Sequence, residues 1–472
     1  MLTLRTAVFA LLAGFAMQAP ARDTLPPAVV QALAATRVPA ESVAAVVQEI
    51  GASRPSLSVN AAVPMNPASV MKLVTTLAAL ELLSPAYRWK TNAYAAGALS
   101  EDALQGDLVL KGYGDPRLTF ESFWLLLRAL RDRGLRQVRG DLVLDRSYFE
   151  SGAHDSARFD AEPLRPYNVG PDALLLSFKA VRFQFVPDTE RGTVLVSAQP
   201  RPEPLEVVSV LRLGNGPCGD WREKVRPDFQ TSSRLRALFT GEFPASCGER
   251  YWNVSLLSHP DFVGGVFRQL WPELGGTLSG GVREGRVPAD AKLVYSHESP
   301  PLSEIVRDIN KFSNNVMARQ LYLTIGAEAS RPPARNDKSL AAVRAWLAQK
   351  GLDFPELVIE NGSGLSRIER ISAQNLAALL LAAFRSPVMP EFVSSLPLVA
   401  VDGTLRRRMK GEAFAGHAHI KSGTLSEVRA WGGYVLDRAG RRHAVVLLVN
   451  HAGAAQTQPV LEALLRWVHE QG

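Results

Sequence analysis

Asn66-Pro67-Ala68-Ser69-Val70-Met71-Lys72 runs directly into the apolar segment Leu73-Val74-Thr75-Thr76-Leu77-Ala78-Ala79-Leu80. Asn followed by Pro is a helix-start signal: Asn66 can cap free N–H groups, and Pro67 suits the first helical position. That places Ser69 in the first turn, where unpaired N–H groups and the positive end of the helix dipole favour an oxyanion. Lys72 lies three residues on, so its amine projects from the same face as the Ser69 hydroxyl. A serine needs a base to become a nucleophile, and a partly desolvated lysine whose pKa has fallen can serve. Two fixed positions in four residues also recur by chance, yet Lys72 is the only lysine of the chain with Ser at that spacing.

The chain has 472 residues, enough for two or three domains with ample cores. Hydrophobic residues at 46% and charged residues at 21% describe a globular protein, neither disordered nor fibrous. Arg5, the apolar run from Ala7 to Ala16 and the triplet Ala19-Pro20-Ala21 read as an export signal over 1–21, with a mature chain from Arg22. No later stretch has the length and apolarity of a membrane span. Export implies an oxidising compartment, in which Cys218 and Cys247, the only cysteines, form a disulfide. Two cysteines without paired histidines nearby do not make a zinc site; His417 and His419 alternate but lack a recognisable third ligand. No metal and no cofactor are expected. The 53 basic and 46 acidic residues give +7, suited to loose attraction to an anionic wall or membrane surface. Nucleic acid is not indicated, because the cations are dispersed and no binding module is present.

Around the opening stretch the chain alternates in texture. Pro26 to Arg37 reads as a short amphipathic helix and Ser42 to Glu49 as a buried strand. Gly106-Asp107-Leu108-Val109-Leu110 and Gly140-Asp141-Leu142-Val143-Leu144 flank a helical stretch from Phe120 to Arg133, a small β-α-β unit. Alternating segments at Val181–Val186 and Thr193–Val196 open a β-rich region that continues to about Glu284. Helical texture returns at Leu302 to Leu323, Ser339 to Gln349 and Ala373 to Phe384. Strands at His419–Lys421, Trp431–Leu436 and His443–Asn450 and a helix from Pro459 to Glu470 close the chain. The expected fold is α/β (α+β), an antiparallel sheet flanked by helices and split by a long insertion. The expected division is a catalytic domain over 22–88 and 285–472, and an inserted region over 89–284. Within the insertion two nested subdomains are expected, with about 106–167 inside the rest.

Two further segments join Ser69 and Lys72. Ser313-Asn314-Asn315 interrupts a helical stretch, as Ser and Asn side chains do by competing for backbone groups. Lys421-Ser422-Gly423-Thr424 ends a strand, where Gly423 lets a backbone or ligand come close. Each alone also fits a polar helix face or an ordinary hairpin. In order, however, the three match the Ser-x-x-Lys, Ser-x-Asn and Lys-Thr/Ser-Gly set of penicillin-recognising serine enzymes. With Asp115 in a Gly-Asp-Pro turn, Asn361-Gly362-Ser363-Gly364-Leu365-Ser366-Arg367 and Val401-Asp402-Gly403-Thr404-Leu405 as flanks, the mature chain resembles the D-alanyl-D-alanine carboxypeptidase/endopeptidase family of penicillin-binding protein 4 type, peptidase family S13. Asn314 stands where Asp is common and Ser422 where Thr is commoner.

The resemblance implies a penicillin-binding, β-lactamase-like catalytic domain that cleaves D-Ala-D-Ala in peptidoglycan stem peptides through an acyl-enzyme on Ser69, in the periplasm. It implies Lys72 as base, Ser313 as proton relay, Lys421 as nearby positive charge and Asn315 as a grip on the substrate amide. Ser422 and Thr424 would take the terminal carboxylate, with Gly423 between them. The backbone N–H groups of Ser69 and Thr424 would form the oxyanion hole. β-Lactams would acylate the same serine. The rival expectations are a β-lactamase or esterase of the same fold and a catalytically silent wall-binding protein. Asp402-Gly403-Thr404 is expected as a turn that helps to shape the cleft.

Overall fold

The computed structural model describes residues 22–471 apart from 151, 153 and 232–234. The expected export signal over 1–21 lies outside the described residues. Its centre is a five-stranded antiparallel sheet in the order Ala418–Leu425, Val428–Leu436, Arg442–Asn450, Val43–Glu49, Leu57–Val59. Side chains alternate across a strand, and here both faces are covered. Ala444, Val446 and Leu448 face a core shared with helices Lys72–Leu83, Leu302–Phe312, Asn315–Ser330 and Ala373–Phe384. Val445, Leu447 and Val449 face a second core built on helices Pro27–Ala34 and Gln458–His469. Burial on both faces is why these strands read as continuous apolar runs rather than alternating ones.

Between the amino-terminal and carboxy-terminal parts of this layer lies the insertion. Its outer sheet joins Lys90–Ser100 and Ala103–Gly112 to strands at Gln137–Val138, Leu142–Asp145, Thr277–Leu278, Val282–Glu284 and Lys292–Glu298. The two Gly-Asp-Leu-Val-Leu strands pair in parallel, Leu108 opposite Leu142 and Leu110 opposite Leu144, across helix Phe120–Asp132. An inner sheet runs from Val181–Asp188 to Arg250–Val254. Phe123 and Leu108 of the outer unit share a core with Phe183, Phe185 and Phe239 of the inner one.

Two expected boundaries change. Strand Lys292–Glu298 pairs with Lys90–Ser100, so the inserted sheet ends near 298 rather than at 284. That strand is a half-exposed edge whose partner lies some two hundred positions earlier, and nothing local marks the pairing. The nesting is also inverted. The unit containing Gly106 and Gly140 closes on strands after 276, so the segment from 181 to 254 is the inner one. Cys218 and Cys247 are bonded to each other within that inner unit.

Candidate active site

Asn66 does not cap an α-helix. Its Oδ1 accepts a hydrogen bond from the Ala68 N–H at 2.9 Å, Ala68 takes a positive φ of 45°, and residues Ala68–Met71 form a 3₁₀ turn before the α-helix begins at Lys72. Ser69 therefore sits on a tight turn outside the α-helix, partly exposed, while Lys72 is fully buried. Gly364 and Gly423 let two other chain segments reach this turn. A Cβ on Gly364, at φ +80°, would lie 1.9 Å from the Ala68 carbonyl oxygen; one on Gly423 would lie 2.9 Å from the Ser69 nitrogen. The Ser69 backbone is thus gripped by the 361–367 loop on one side and strand Ala418–Leu425 on the other.

The Lys72 amine approaches three oxygens: Ser69 Oγ at 3.0 Å, Asn315 Oδ1 at 2.7 Å, and the Ser363 carbonyl. Burial pushes the Lys72 pKa well below its ordinary value, the neighbouring Lys421 charge adds to the shift, and Glu369 opposes it. A neutral amine has two N–H donors and one lone pair; with the donors accepted by Asn315 Oδ1 and the Ser363 carbonyl, the lone pair would face the Ser69 hydroxyl, as a general base requires.

Ser313 lies in the break between helices Leu302–Phe312 and Asn315–Ser330, at a left-handed φ of 55°. Asn314 Oδ1 caps the second helix by accepting from the Met317 N–H at 3.1 Å. The break turns Ser313 towards strand Ala418–Leu425, where Lys421 donates to Ser313 Oγ at 2.9 Å and to the Ser422 carbonyl at 2.7 Å. Lys421 is fully buried, which pushes its pKa down to about 7. Ser422 Oγ lies 3.0 Å from Thr404 Oγ1, so the Asp402-Gly403-Thr404 turn does border the cleft. Thr424 is exposed at the strand's end. All three sequence segments therefore meet at one place, and the residues singled out in them are in mutual contact or on adjoining positions.

Two contributors were missed from the sequence. The Ser363 carbonyl belongs to the 361–367 stretch, but its chemistry is backbone and carries no side-chain signature. Glu369 is fully buried, and its Oε1 accepts from the N–H groups of Glu360, Asn361 and Gly362 at 3.0–3.1 Å. It pins the loop that presents the Ser363 carbonyl, and burial pushes its pKa up against those three donors.

Comparison with known proteins decides the family. The D-Ala-D-Ala carboxypeptidase 3 (S13) family matches residues 27–471. The chain belongs to this family. It is a serine-type D-Ala-D-Ala carboxypeptidase, a hydrolase. Among S13 relatives, a D-alanyl-D-alanine carboxypeptidase of Actinomadura sp. (strain R39) is 32% identical over 82% of this chain and 74% of its own length. A D-alanyl-D-alanine carboxypeptidase of Haemophilus influenzae is 22% identical over 81% and 80%. Penicillin binding protein 4 of H. influenzae superimposes with a TM-score of 0.77 at 21% identity, covering 93% of this chain and 99% of its own. That likeness shows that the mixed α/β fold expected above is the one adopted.

Proposed function

We propose that this S13 enzyme removes the terminal D-alanine from peptidoglycan stem peptides by way of an ester on Ser69. The observation that carries the assignment of roles is the Lys72 amine, whose two donors are taken by Asn315 and Ser363 while Ser69 Oγ lies at its remaining position. Ser69 Oγ attacks the carbonyl carbon between the two D-alanines as its proton passes to Lys72. The oxyanion formed is met by the backbone N–H groups of Ser69 and Thr424, each such donor contributing about 2.7–4 kcal/mol. The C–N bond breaks as the proton held by Lys72 passes through the Ser313 hydroxyl, which Lys421 holds at 2.9 Å, to the departing amine, leaving Lys72 neutral. Water then attacks the ester carbon as its proton passes to Lys72, and Lys72 returns that proton to Ser69 Oγ as the ester C–O bond breaks.

Asn315 Oδ1 is engaged by Lys72, so the donor half of its amide is what remains for the substrate. The paired Ser422 and Thr404 hydroxyls, with Thr424 beyond them, suit a terminal carboxylate beside the Lys421 amine. The same serine accounts for acylation by β-lactams; a H. influenzae relative has been solved in complex with one. Action in the periplasm, and loose association with wall or membrane through the net positive charge, follow from the export signal and composition. Endopeptidase cleavage of cross-linked strands would use the same nucleophile and is the second activity open to this site.

The test is intact-protein mass spectrometry after benzylpenicillin, with release of D-alanine from a model pentapeptide measured in parallel. One penicilloyl adduct is expected on the unmodified chain and none on Ser69→Ala. An adduct that survives Ser69→Ala would overturn the assignment.

A further inference from the structure

Beside the turn that carries Ser313 and Asn315, the inserted region and the catalytic part enclose an open cavity of about 360 Å³, with Asn314 in its wall. Four exposed polar side chains of the insertion line it: Glu121, Arg182, Gln199 and Asn253. Among the described residues, the Glu121, Gln199 and Asn253 side chains have no hydrogen-bonding partner, and Arg182 is held only over the Tyr251 ring at 5.6 Å. Each of the four ends in a planar group able to make two parallel hydrogen bonds. One carboxylate and one guanidinium cancel, so the lining does not select a charged ligand.

Aromatic surface completes the wall. Tyr167 is 41% exposed, and its hydroxyl donates to Asp160 at 2.8 Å, which fixes the ring in place. Phe178 is half-buried against the catalytic core. Ser177, Phe178 and Lys179 all have left-handed φ, at 45°, 55° and 51°. None is glycine, so each is strained, and such strain gathers at ligand-holding segments.

We propose that this cavity is a subsite for the glycan strand of the substrate, holding a neutral N-acetylated sugar against Tyr167 and Phe178 while the planar side chains bind its hydroxyl and acetamido groups. The inference rests on the peptidase reading above and names what the insertion adds to it. The cavity adjoins the active site through Asn314, which lies between Ser313 and Asn315, so a sugar held there would be joined to the scissile bond by the stem peptide.

The experiment compares kcat/KM for D-alanine release from a disaccharide-pentapeptide with that from the same pentapeptide freed of its sugars. The full chain and the double variant Gln199→Ala/Asn253→Ala are used, and benzylpenicillin acylation is followed in both. The wild-type chain is expected to favour the sugar-bearing substrate about tenfold, and the double variant to approach parity. Pentapeptide turnover and penicillin acylation should change by less than about twofold. Equal treatment of the two substrates by the wild type, or an undiminished preference in the variant, overturns the proposal. A variant that loses activity equally on both substrates would place peptide rather than sugar in the cavity, and also overturns it. If neither substrate is cleaved and penicillin leaves no adduct, the peptidase reading itself has failed.

Discussion

A lysine amine sealed from water takes its protonation state from its neighbours, and this site seals two of them. For Lys421 the consequence can be followed through pH. Its native pKa is about 7 against an ordinary value near 10.5, so between those limits the unfolded chain binds the proton and the native one does not. Native stability therefore rises with pH across that window, and below about pH 7 the full cost of burying the charge is felt. A shift of this size corresponds to about 4–5 kcal/mol, offset by two hydrogen bonds at about 1 kcal/mol each. Lys421→Met should thus be more stable than wild type by about 2 kcal/mol at pH 6, with an advantage that shrinks towards pH 10. Acylation by penicillin should fall by about 10²-fold or more. Thermal unfolding of both proteins across that pH range checks the sign. A gap that widens with pH would mean that Lys421 is not a buried base in the native state.

At the level of elements, the nucleophile's turn is held by contact between chain segments that only glycine permits. Gly364 combines a positive φ with a Cβ position 1.9 Å from the Ala68 carbonyl oxygen and 2.7 Å from the Ser69 nitrogen. Gly364→Ala must displace the 3₁₀ turn, the loop, or both. The expected result is a stability loss of about 1–3 kcal/mol and at least a hundredfold slower penicillin acylation, read by melting temperature and by adduct formation over time. Unchanged acylation would show that the proposed oxyanion-binding role of the Ser69 N–H does not depend on this contact. The same geometry explains what was legible. Ser69 and Lys72 meet at a three-residue spacing, and the Gly-Asp-Leu-Val-Leu strands flank a helix, so both were readable locally. Ser363 meets Lys72 across 291 positions, and the hydrogen bonds of Glu369 go to backbone N–H groups, so neither leaves a local pattern. The 3₁₀ start at Ala68 escaped because Asn-Pro marks a helix onset without fixing which kind of turn opens it.

For the whole molecule the question is how a long insertion is tied to a site built elsewhere. Helix Asn315–Ser330 has its first residue against Lys72 and its middle against the insertion. Gln320, fully buried, exchanges two hydrogen bonds with the backbone of Asp172: Oε1 accepts from its N–H and Nε2 donates to its carbonyl, both at 2.8 Å. Arg319 donates to the Val169 carbonyl at 2.8 Å from the adjoining position. Gln320→Ala leaves a buried N–H and a buried C=O without partners, at a cost of about 1–3 kcal/mol each, so a total near 3 kcal/mol is expected after partial rehydration. Ser69 on its 3₁₀ turn, Lys72 on the helix that follows and Lys421 on the central sheet share no hydrogen bond with Gln320, so penicillin acylation should slow by less than tenfold. Amide hydrogen exchange should instead quicken over residues 168–176, because local opening there loses two buried hydrogen bonds to Gln320. Measured together, the two readouts separate docking from chemistry. Faster exchange with near-normal acylation places the insertion as an independently hinged unit, whereas loss of acylation in step with exchange would make helix Asn315–Ser330 a rigid link between the two.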